Sequence, residues 1–154
     1  MTMLDRESAA KYINEMLGLM VKNRGSDLFI TAEFPPAVKV DGKITPVSQQ
    51  PLNPTHALTL VCSIMNERQT KEFEDTRECN FAIAVPDVGR FRVSAFIQQG
   101  RAGMVLRTIN TRIPSVEDLD LPPTLHEIVM SKRGLVIVTG ATGSGKSTSL
   151  AAML

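Results

Sequence analysis

The chain has 154 residues, a length that fits one ordinary domain, or one small domain and part of another. Apolar residues make up 43% and charged residues 21%, which is the composition of a soluble globular protein. The net charge of +1 excludes a global electrostatic field that would attract nucleic acid or an anionic membrane. We therefore expect no nucleic-acid partner, and any bound anion must be held by a local arrangement.

No part of the sequence predicts a membrane span or a secretory signal. The longest nearly unbroken apolar stretch, from Ala57 to Met65, is far shorter than the roughly 20 residues that a spanning helix needs. Asp5 and Glu7 lie where a signal peptide would carry basic residues followed by an apolar block. We expect a protein without direct membrane insertion.

The cysteines and histidines predict no metal site. Cys62 and Cys79 match no CxxC spacing, so we expect two buried, reduced thiols in a cytosolic protein. His56 and His126 have no partner at metal-ligand spacing. A transition metal is therefore not expected.

An amphipathic helix is predicted from Leu4 to Val21. Its methionines are expected in the core rather than on a partner-binding surface. Lys22 and Arg24 lie where cations favour a helix C-terminus, and Gly25 can supply the left-handed residue that ends the helix. The predicted apolar face consists of Ala9, Ile13, Met16, Leu17, Met20 and Val21.

The periodicity then changes to that of strands. Asp27 to Thr31 is typical of a strand, and Asp41-Gly42 between two apolar runs predicts a two-residue hairpin turn. Asn53-Pro54 predicts a helix start, with a capping side chain followed by a first-turn proline. The apolar face of that helix is expected to consist of Leu58, Val61, Cys62 and Met65.

A second helix and three further strands complete this part of the chain. Asn66 and Gln69 predict a cap for a short polar helix that runs through Phe73. Alternating apolar residues predict strands on either side of Pro86–Gly89, and a third strand from Met104 to Ile109. Helices that separate groups of antiparallel strands define an α+β domain over residues 1–110.

The rest of the chain reads as a linker followed by the start of a second domain. Residues 111–123 are polar and proline-bearing, as expected for a linker, and a short helix should follow around Leu125. Leu135–Thr139 is an unbroken apolar run, which predicts a parallel strand covered on both faces. We assign residues 124–154 to the incomplete start of an α/β domain.

The residues from Gly140 to Ser147 match the phosphate-binding pattern GxxxxGK[ST] at every fixed position. Glycines let the main-chain N–H groups wrap a β-phosphate, and the helix that follows directs its positive end at the same anion. We predict ATP and Mg²⁺ as ligands, with Lys146 on the β- and γ-phosphates and the Ser147 hydroxyl on Mg²⁺. The predicted nucleotide-binding residues are Gly140, Ala141, Thr142, Gly143, Ser144, Gly145, Lys146, Ser147 and Thr148.

A phosphate-binding loop alone does not hydrolyse ATP. Hydrolysis also needs an acidic group near Mg²⁺ and a residue that positions the attacking water, and both normally lie downstream of the loop. These 154 residues extend about two turns into the helix after the loop. We therefore do not expect residues 1–154 by themselves to hydrolyse ATP, even if they bind it.

Arg92 and Arg107 are candidate catalytic residues together with Lys146. If the turn between their strands is centred between Gln99 and Gly100, the two arginines lie directly opposite each other. Like charges in that arrangement destabilise a sheet unless an anion or an acidic neighbour lies between them. The pair is therefore predicted to clamp a γ-phosphate. The alternative is that both arginines are merely solvated on an exposed hairpin.

Several blocks of the sequence resemble the type IV pilus retraction ATPases. They are Ser26–Ala32, Gly89–Val93 and Arg133–Gly140 running into the phosphate-binding loop. Glu78–Ile83 and Lys146–Met153 are most similar to the PilU branch of that family, rather than to PilT.

The resemblance implies a PAS-like N-terminal domain followed by a RecA-like P-loop domain, assembled as a homohexamer. It also implies ATP hydrolysis that drives pilus retraction and twitching motility. The implied partners are a paralogous retraction ATPase and an inner-membrane protein at the pilus base, with the ring on the cytoplasmic side of that membrane. In related secretion ATPases two arginines fifteen residues apart approach the γ-phosphate, and Arg92 and Arg107 have that separation.

Two alternatives to a retraction motor stay open at this point. The first is a non-enzymatic interaction module, in which the antiparallel sheet binds a neighbouring subunit or a pilus-base protein. The second is an ATPase of the type II secretion or pilus assembly kind, which the Gly89–Val93 block disfavours.

Overall fold

The structure, a computed structural model, describes residues 5–110 and 112–154. The chain divides into two compact units, Met1–Ile109 and Asn110–Leu154. The predicted helix start at Leu4 and the first linker residue, Thr111, lie outside the described residues. The described helices and strands are α1 Arg6–Lys22, β1 Asp27–Thr31, β2 Ala37–Val40, β3 Lys43–Pro46, α2 Pro54–Ser63, α3 Glu67–Thr76, β4 Glu78–Val85, β5 Gly89–Gln98, β6 Arg101–Ile109, α4 Thr124–Val129 and α5 Lys146–Met153.

The first unit is built on one antiparallel sheet of six strands, in the order β3-β2-β1-β6-β5-β4. Most neighbouring strands are consecutive in the chain: β1 pairs with β2, β2 with β3, β4 with β5, and β5 with β6. The exception is β1, which also pairs with β6 although the two strands are far apart in the sequence. One face of the sheet is covered by α1, α2 and α3, which explains why strand residues alternate between buried and accessible. The predicted antiparallel sheet with helices is confirmed.

Two tight turns fix the register of these hairpins. Asp41 and Gly42 have φ values of 48° and 81°, and Gln99 and Gly100 have φ values of 51° and 73°. Positive φ at both central residues gives the turn that matches the twist of the adjoining strands. The second turn ends at Gly100, so β6 begins at Arg101 and not at Met104 as predicted.

Helix α1 packs its methionines into the core, as predicted, but its end differs from the prediction. Val21 is 37% exposed, and Arg24, not Gly25, takes the left-handed conformation with φ of 55°. A side chain at Gly25 would place Cβ 2.7 Å from Met20 Cγ, so close packing requires glycine there. The buried residues of α1 are Ala9, Ile13, Met16, Leu17 and Met20.

Helix α2 is capped by the Asn53 side chain as predicted. Val61 and Met65 are buried as predicted, but the rest of the apolar face is rotated by one residue. Ala57, Leu60 and Val61 are buried, whereas Leu58 is 44% exposed. Two stripes at helical spacing exist in this segment, and packing against β1 and β6 selects the one with Leu60.

Helix α3 begins with the predicted cap and extends farther than predicted. The Asn66 and Gln69 side chains each accept a hydrogen bond from the other residue's backbone N–H, which forms a capping box. The helix continues three residues past Phe73 to Thr76 and ends at Arg77, whose φ is 65°. Phe73 is its buried residue.

In the second unit, α4 forms at the predicted place but the predicted strand does not. Leu135–Thr139 has no strand partner among the described residues, and its apolar side chains are between 37% and 83% exposed. A strand needs a neighbour to pair its backbone N–H and C=O groups, so the apolar run alone does not form one. In the described part of the chain, every helix is too short or too polar to span a lipid bilayer.

Candidate functional site

The loop before α5 is shaped by glycines in conformations that other residues avoid. Gly143 and Gly145 have φ values of 82° and 88°, and Gly140 has φ of 155°. A Cβ at Gly140 would lie 2.7 Å from Ser144 Oγ, so the Ser144 hydroxyl would have to move to make room. The loop therefore requires glycine at these three positions.

Helix α5 starts directly at the end of this loop. Its N-cap, Gly145, offers no side-chain hydrogen bond to the first turn. The N–H groups of the first turn of a helix have no partner within the helix, and the helix dipole makes this end positive. The start of α5 is therefore suited to an anion.

Lys146 folds back over the start of the loop. Its Nζ donates hydrogen bonds to the carbonyl oxygens of Gly140 at 2.8 Å and Ala141 at 2.5 Å. These bonds hold the ammonium group beside the loop and the helix terminus, which places a full positive charge next to the free N–H groups.

A cavity of about 210 Å³ lies against this helix terminus. Of the nine predicted nucleotide-binding residues, five line it, and none of the five is acidic. The remaining four, Gly140, Ala141, Thr142 and Ser144, do not line the cavity. The lining residues are Gly143, Gly145, Lys146, Ser147 and Thr148.

The two predicted catalytic arginines lie directly opposite each other in the first unit. Arg92 on β5 pairs in register with Arg107 on β6, and the turn between their strands is centred between Gln99 and Gly100. The predicted register is confirmed. Both side chains lie on the sheet face that the helices leave open, because their strand neighbours Phe91 and Leu106 are fully buried in the core. The clamp on a γ-phosphate stays a prediction.

An acidic neighbour of this pair, Asp27 on β1, was not identified from the sequence. Asp27 pairs in register with Arg107 and is only 3% exposed. Its Oδ1 accepts a hydrogen bond from Arg107 Nε at 2.7 Å, and its Oδ2 accepts one from Ser26 Oγ at 2.7 Å. Each strand was predicted, but no local pattern gives the pairing of strands 80 residues apart.

The pKa of Asp27 is lowered below its ordinary value. Burial by itself would raise the pKa, but the hydrogen bonds from Ser26 and Arg107 and the charges of Arg107 and Lys39 more than offset that effect. Asp27 is therefore a buried carboxylate held in its charged form.

The environments of Arg101 and of the two cysteines are also defined by the structure. Arg101, the first residue of β6, forms an ion pair with Glu33. Cys79 is buried as predicted, whereas Cys62 is half-buried, and both thiols are free. Burial raises the pKa of each thiol. Within the described residues, no three His, Cys, Asp or Glu side chains cluster as metal ligands would.

The order of these features defines a class of protein: an antiparallel α+β domain, then a glycine-rich loop of the phosphate-binding pattern that opens a helix. The family model described as "Type II/IV secretion system protein" matches residues 2–154. The chain therefore belongs to the type II/IV secretion system protein family.

Among its relatives, the chain is 54% identical over 140 residues to the type IV pilus ATPase PilU of Pseudomonas aeruginosa, covering 91% of the chain and 37% of that protein. It is 44% identical over 142 residues to the type IV pilus retraction ATPase PilT of the same organism, covering 92% and 41%. The predicted resemblance to pilus retraction ATPases, and to PilU more than PilT, is confirmed.

A solved structure has the same fold. The crystal structure of the pilus retraction motor PilT with bound ADP superimposes with a TM-score of 0.82 at 38% identity, covering 92% of this chain and 41% of that one. The chain thus spans about two fifths of the length of the relatives it matches.

Proposed function

We propose that this chain belongs to an ATP-driven motor subunit that powers type IV pilus retraction and twitching motility. The observation that carries the proposal is the loop Gly140–Ser147, in which glycines of positive φ, a helix N-terminus and a lysine ammonium group lie together, an arrangement suited to phosphate groups. The relatives that share most of this chain are named as pilus ATPases, and the solved structure of a pilus retraction motor PilT contains bound ADP.

The residues present fit Mg·ATP. Gly140–Ser147 acts as a Walker A P-loop: main-chain N–H groups of the loop and of the start of α5 bind the β-phosphate, and the Lys146 ammonium group binds the β- and γ-phosphates. The Ser147 hydroxyl, which lines the cavity at the helix start, is the ligand that this chain offers to Mg²⁺. When bound, Mg²⁺ neutralises charge on the phosphates.

Residues 1–154 by themselves are proposed to bind nucleotide without turning it over. Hydrolysis needs a carboxylate near Mg²⁺ and a residue that positions water, and the five residues that line the cavity include neither a carboxylate nor a histidine. ATP hydrolysis is therefore proposed for a protein of the relatives' full length.

Arg92 and Arg107 are proposed as the clamp on the γ-phosphate. Two guanidinium groups directly opposite on one sheet face offer several N–H donors at short range to the oxygens of one phosphate group. In the full-length protein, Arg92→Ala or Arg107→Ala should lower kcat about 10³-fold and largely spare ATP binding, the scale that P-loop enzymes show for an arginine finger.

The assembly follows from the same resemblance. We propose a PAS-like domain in the first unit and the start of a RecA-like domain in the second, within a homohexamer on the cytoplasmic face of the inner membrane. A paralogous retraction ATPase and a pilus-base membrane protein are the proposed partners. The antiparallel sheet with helices on one face supports the PAS-like assignment.

The test is ATP binding and turnover by the full-length protein, compared between Lys146→Ala and the matched control Lys132→Ala. Lys132 is an exposed lysine of the same unit outside the loop. We expect Lys146→Ala to lose ATP binding, turnover and twitching, and Lys132→Ala to keep all three. Equal ATP affinity in the wild type and Lys146→Ala would reject the proposal.

A further inference from the structure

Four charged side chains form one row across the open face of the sheet. Lys39 on β2 pairs in register with Asp27 on β1, Asp27 with Arg107 on β6, and Arg107 with Arg92 on β5. Residues that are directly opposite in an antiparallel sheet lie on the same face. The row, called the charged row below, therefore reads plus, minus, plus, plus across four adjacent strands.

The carboxylate of the charged row is buried between two cations, Lys39 on β2 and Arg107 on β6. Asp27 is 3% exposed, and each of its oxygens accepts a hydrogen bond at 2.7 Å, one from Arg107 Nε and one from Ser26 Oγ. A buried carboxylate with both oxygens bonded is fixed in position, because rotation would break both bonds.

The guanidinium bound to it is mostly in solvent. The Arg107 side chain is 68% exposed. Arg107 donates to Asp27 through Nε, so the four N–H groups on its two terminal nitrogens are available to another acceptor. An exposed arginine loses rotamer freedom when it is fixed in place. Because the bond to Asp27 already restricts the Arg107 side chain, less rotamer freedom remains to be lost when a ligand binds.

Arg92 differs in having no such anchor. Arg92 takes part in none of the ion pairs found among residues 5–110 and 112–154. Its other cross-strand neighbour is Ala82, a side chain that can neither charge-pair nor hydrogen-bond with it. One arginine of the pair is thus held and the other is free to adjust.

We propose that Asp27 is a positioning residue, which holds Arg107 by Nε so that its terminal N–H groups stand ready beside Arg92 for the oxygens of a phosphate group. The proposal rests on the function proposed above, because it assigns Asp27 to the same arginine clamp. A carboxylate beside a phosphate-binding arginine reduces the local positive charge. What Asp27 contributes to the clamp is therefore geometry, and its loss should appear in kcat more than in ATP affinity.

The test is a double-mutant cycle on kcat for ATP hydrolysis by the full-length protein, with Asp27→Ala, Arg107→Ala and both together. We expect Asp27→Ala to lower kcat about 10-fold to 100-fold, the effect of misplacing a catalytic group by about 1 Å, with KM for ATP nearly unchanged. In the Arg107→Ala background, Asp27→Ala should lower kcat no further, because the group that Asp27 positions is gone.

Two further variants separate positioning from a merely structural role. Lys39→Ala, the matched control, removes a cation on the other side of Asp27 and should leave kcat within about twofold, because the bond to Arg107 remains. Asp27→Asn has the same shape and keeps a neutral acceptor for Nε, so it should lower kcat only about threefold. If Asp27→Ala does not fold, a kcat of Asp27→Asn equal to that of the wild type would reject the role of Asp27.

The outcomes distinguish this inference from the function on which it rests. If Arg107→Ala lowers kcat but Asp27→Ala does not, or if the two effects are additive, Asp27 is no positioning residue and the clamp stands. If neither Arg92→Ala nor Arg107→Ala lowers kcat, the clamp itself is wrong, and the role of Asp27 is rejected with it.

Discussion

Removing Arg107 should destabilise the first unit, whereas removing Arg92 should not. Arg107→Ala takes away the charged partner of Asp27, which is only 3% exposed. Breaking a fully buried ion pair costs about 3–5 kcal/mol. Here the arginine is 68% exposed, and Asp27 keeps its hydrogen bond from Ser26, so solvent screening reduces the expected cost to about 1–2 kcal/mol.

The consequence for melting is measurable. In a unit of roughly 100 residues, 1 kcal/mol corresponds to about 4–8 °C in Tm, so a cost of about 1–2 kcal/mol should lower the Tm of Arg107→Ala by about 4–16 °C. Arg92→Ala removes a like charge opposite Arg107 and should change the free energy of unfolding by less than about 0.5 kcal/mol, or raise it slightly.

The assay is urea unfolding of the 154-residue chain, followed by tyrosine fluorescence. Tyr12 is the single tyrosine, the sequence has no tryptophan, and Tyr12 packs against the core of the first unit. The signal therefore reports on that unit alone. Equal free energies of unfolding in Arg92→Ala and Arg107→Ala would refute the reasoning, because it would show that Arg107 carries no special interaction with Asp27.

Three more predictions concern pH, the loop and association. The lowered pKa of Asp27 contributes stability that is full above the pKa of an unfolded aspartate, about 3.9, and is lost as pH falls through the folded pKa. The stability advantage of the wild type over Asp27→Asn should therefore shrink below about pH 4 in urea titrations, and an advantage unchanged at pH 2 would contradict this. Gly140→Ala should weaken nucleotide binding in a fluorescent-nucleotide titration, because alanine rarely adopts a φ of 155° and the Ser144 hydroxyl would have to move away from the added Cβ. The unpaired apolar run at Leu135–Thr139 should make the chain associate with rising concentration in sedimentation, whereas a strictly monomeric profile would count against that expectation.

Local patterns predict the first unit well because its turns and caps are local. Asp41-Gly42 gives the hairpin turn and Asn53-Pro54 the helix start, since each depends on a few adjacent residues. The rotated face of α2 shows where such patterns fail: Leu58 and Leu60 both lie on stripes of helical spacing, and only contacts with distant strands decide which is buried.

In the candidate site, too, features that depend on adjacent residues are predictable from the sequence, whereas contacts between distant strands are not. The loop Gly140–Ser147 is readable from sequence because its chemistry lies in eight consecutive residues. The opposition of Arg92 and Arg107 follows from one turn. The contact of Asp27 with Arg107 depends on pairing between strands 80 residues apart, and the apolar run Leu135–Thr139 shows that composition alone does not form a strand.

The central claim is that main-chain N–H groups around Ser144, together with the Lys146 ammonium group, bind the phosphates of a nucleotide. The most direct measurement is a titration of the ¹⁵N-labelled chain with Mg·ADP, in which the amide resonances are followed by NMR. We predict the largest shifts at Gly143, Ser144, Gly145 and Lys146, and no such shifts in Lys146→Ala. Resonances of the loop that stay in place at saturating Mg·ADP would contradict the claim.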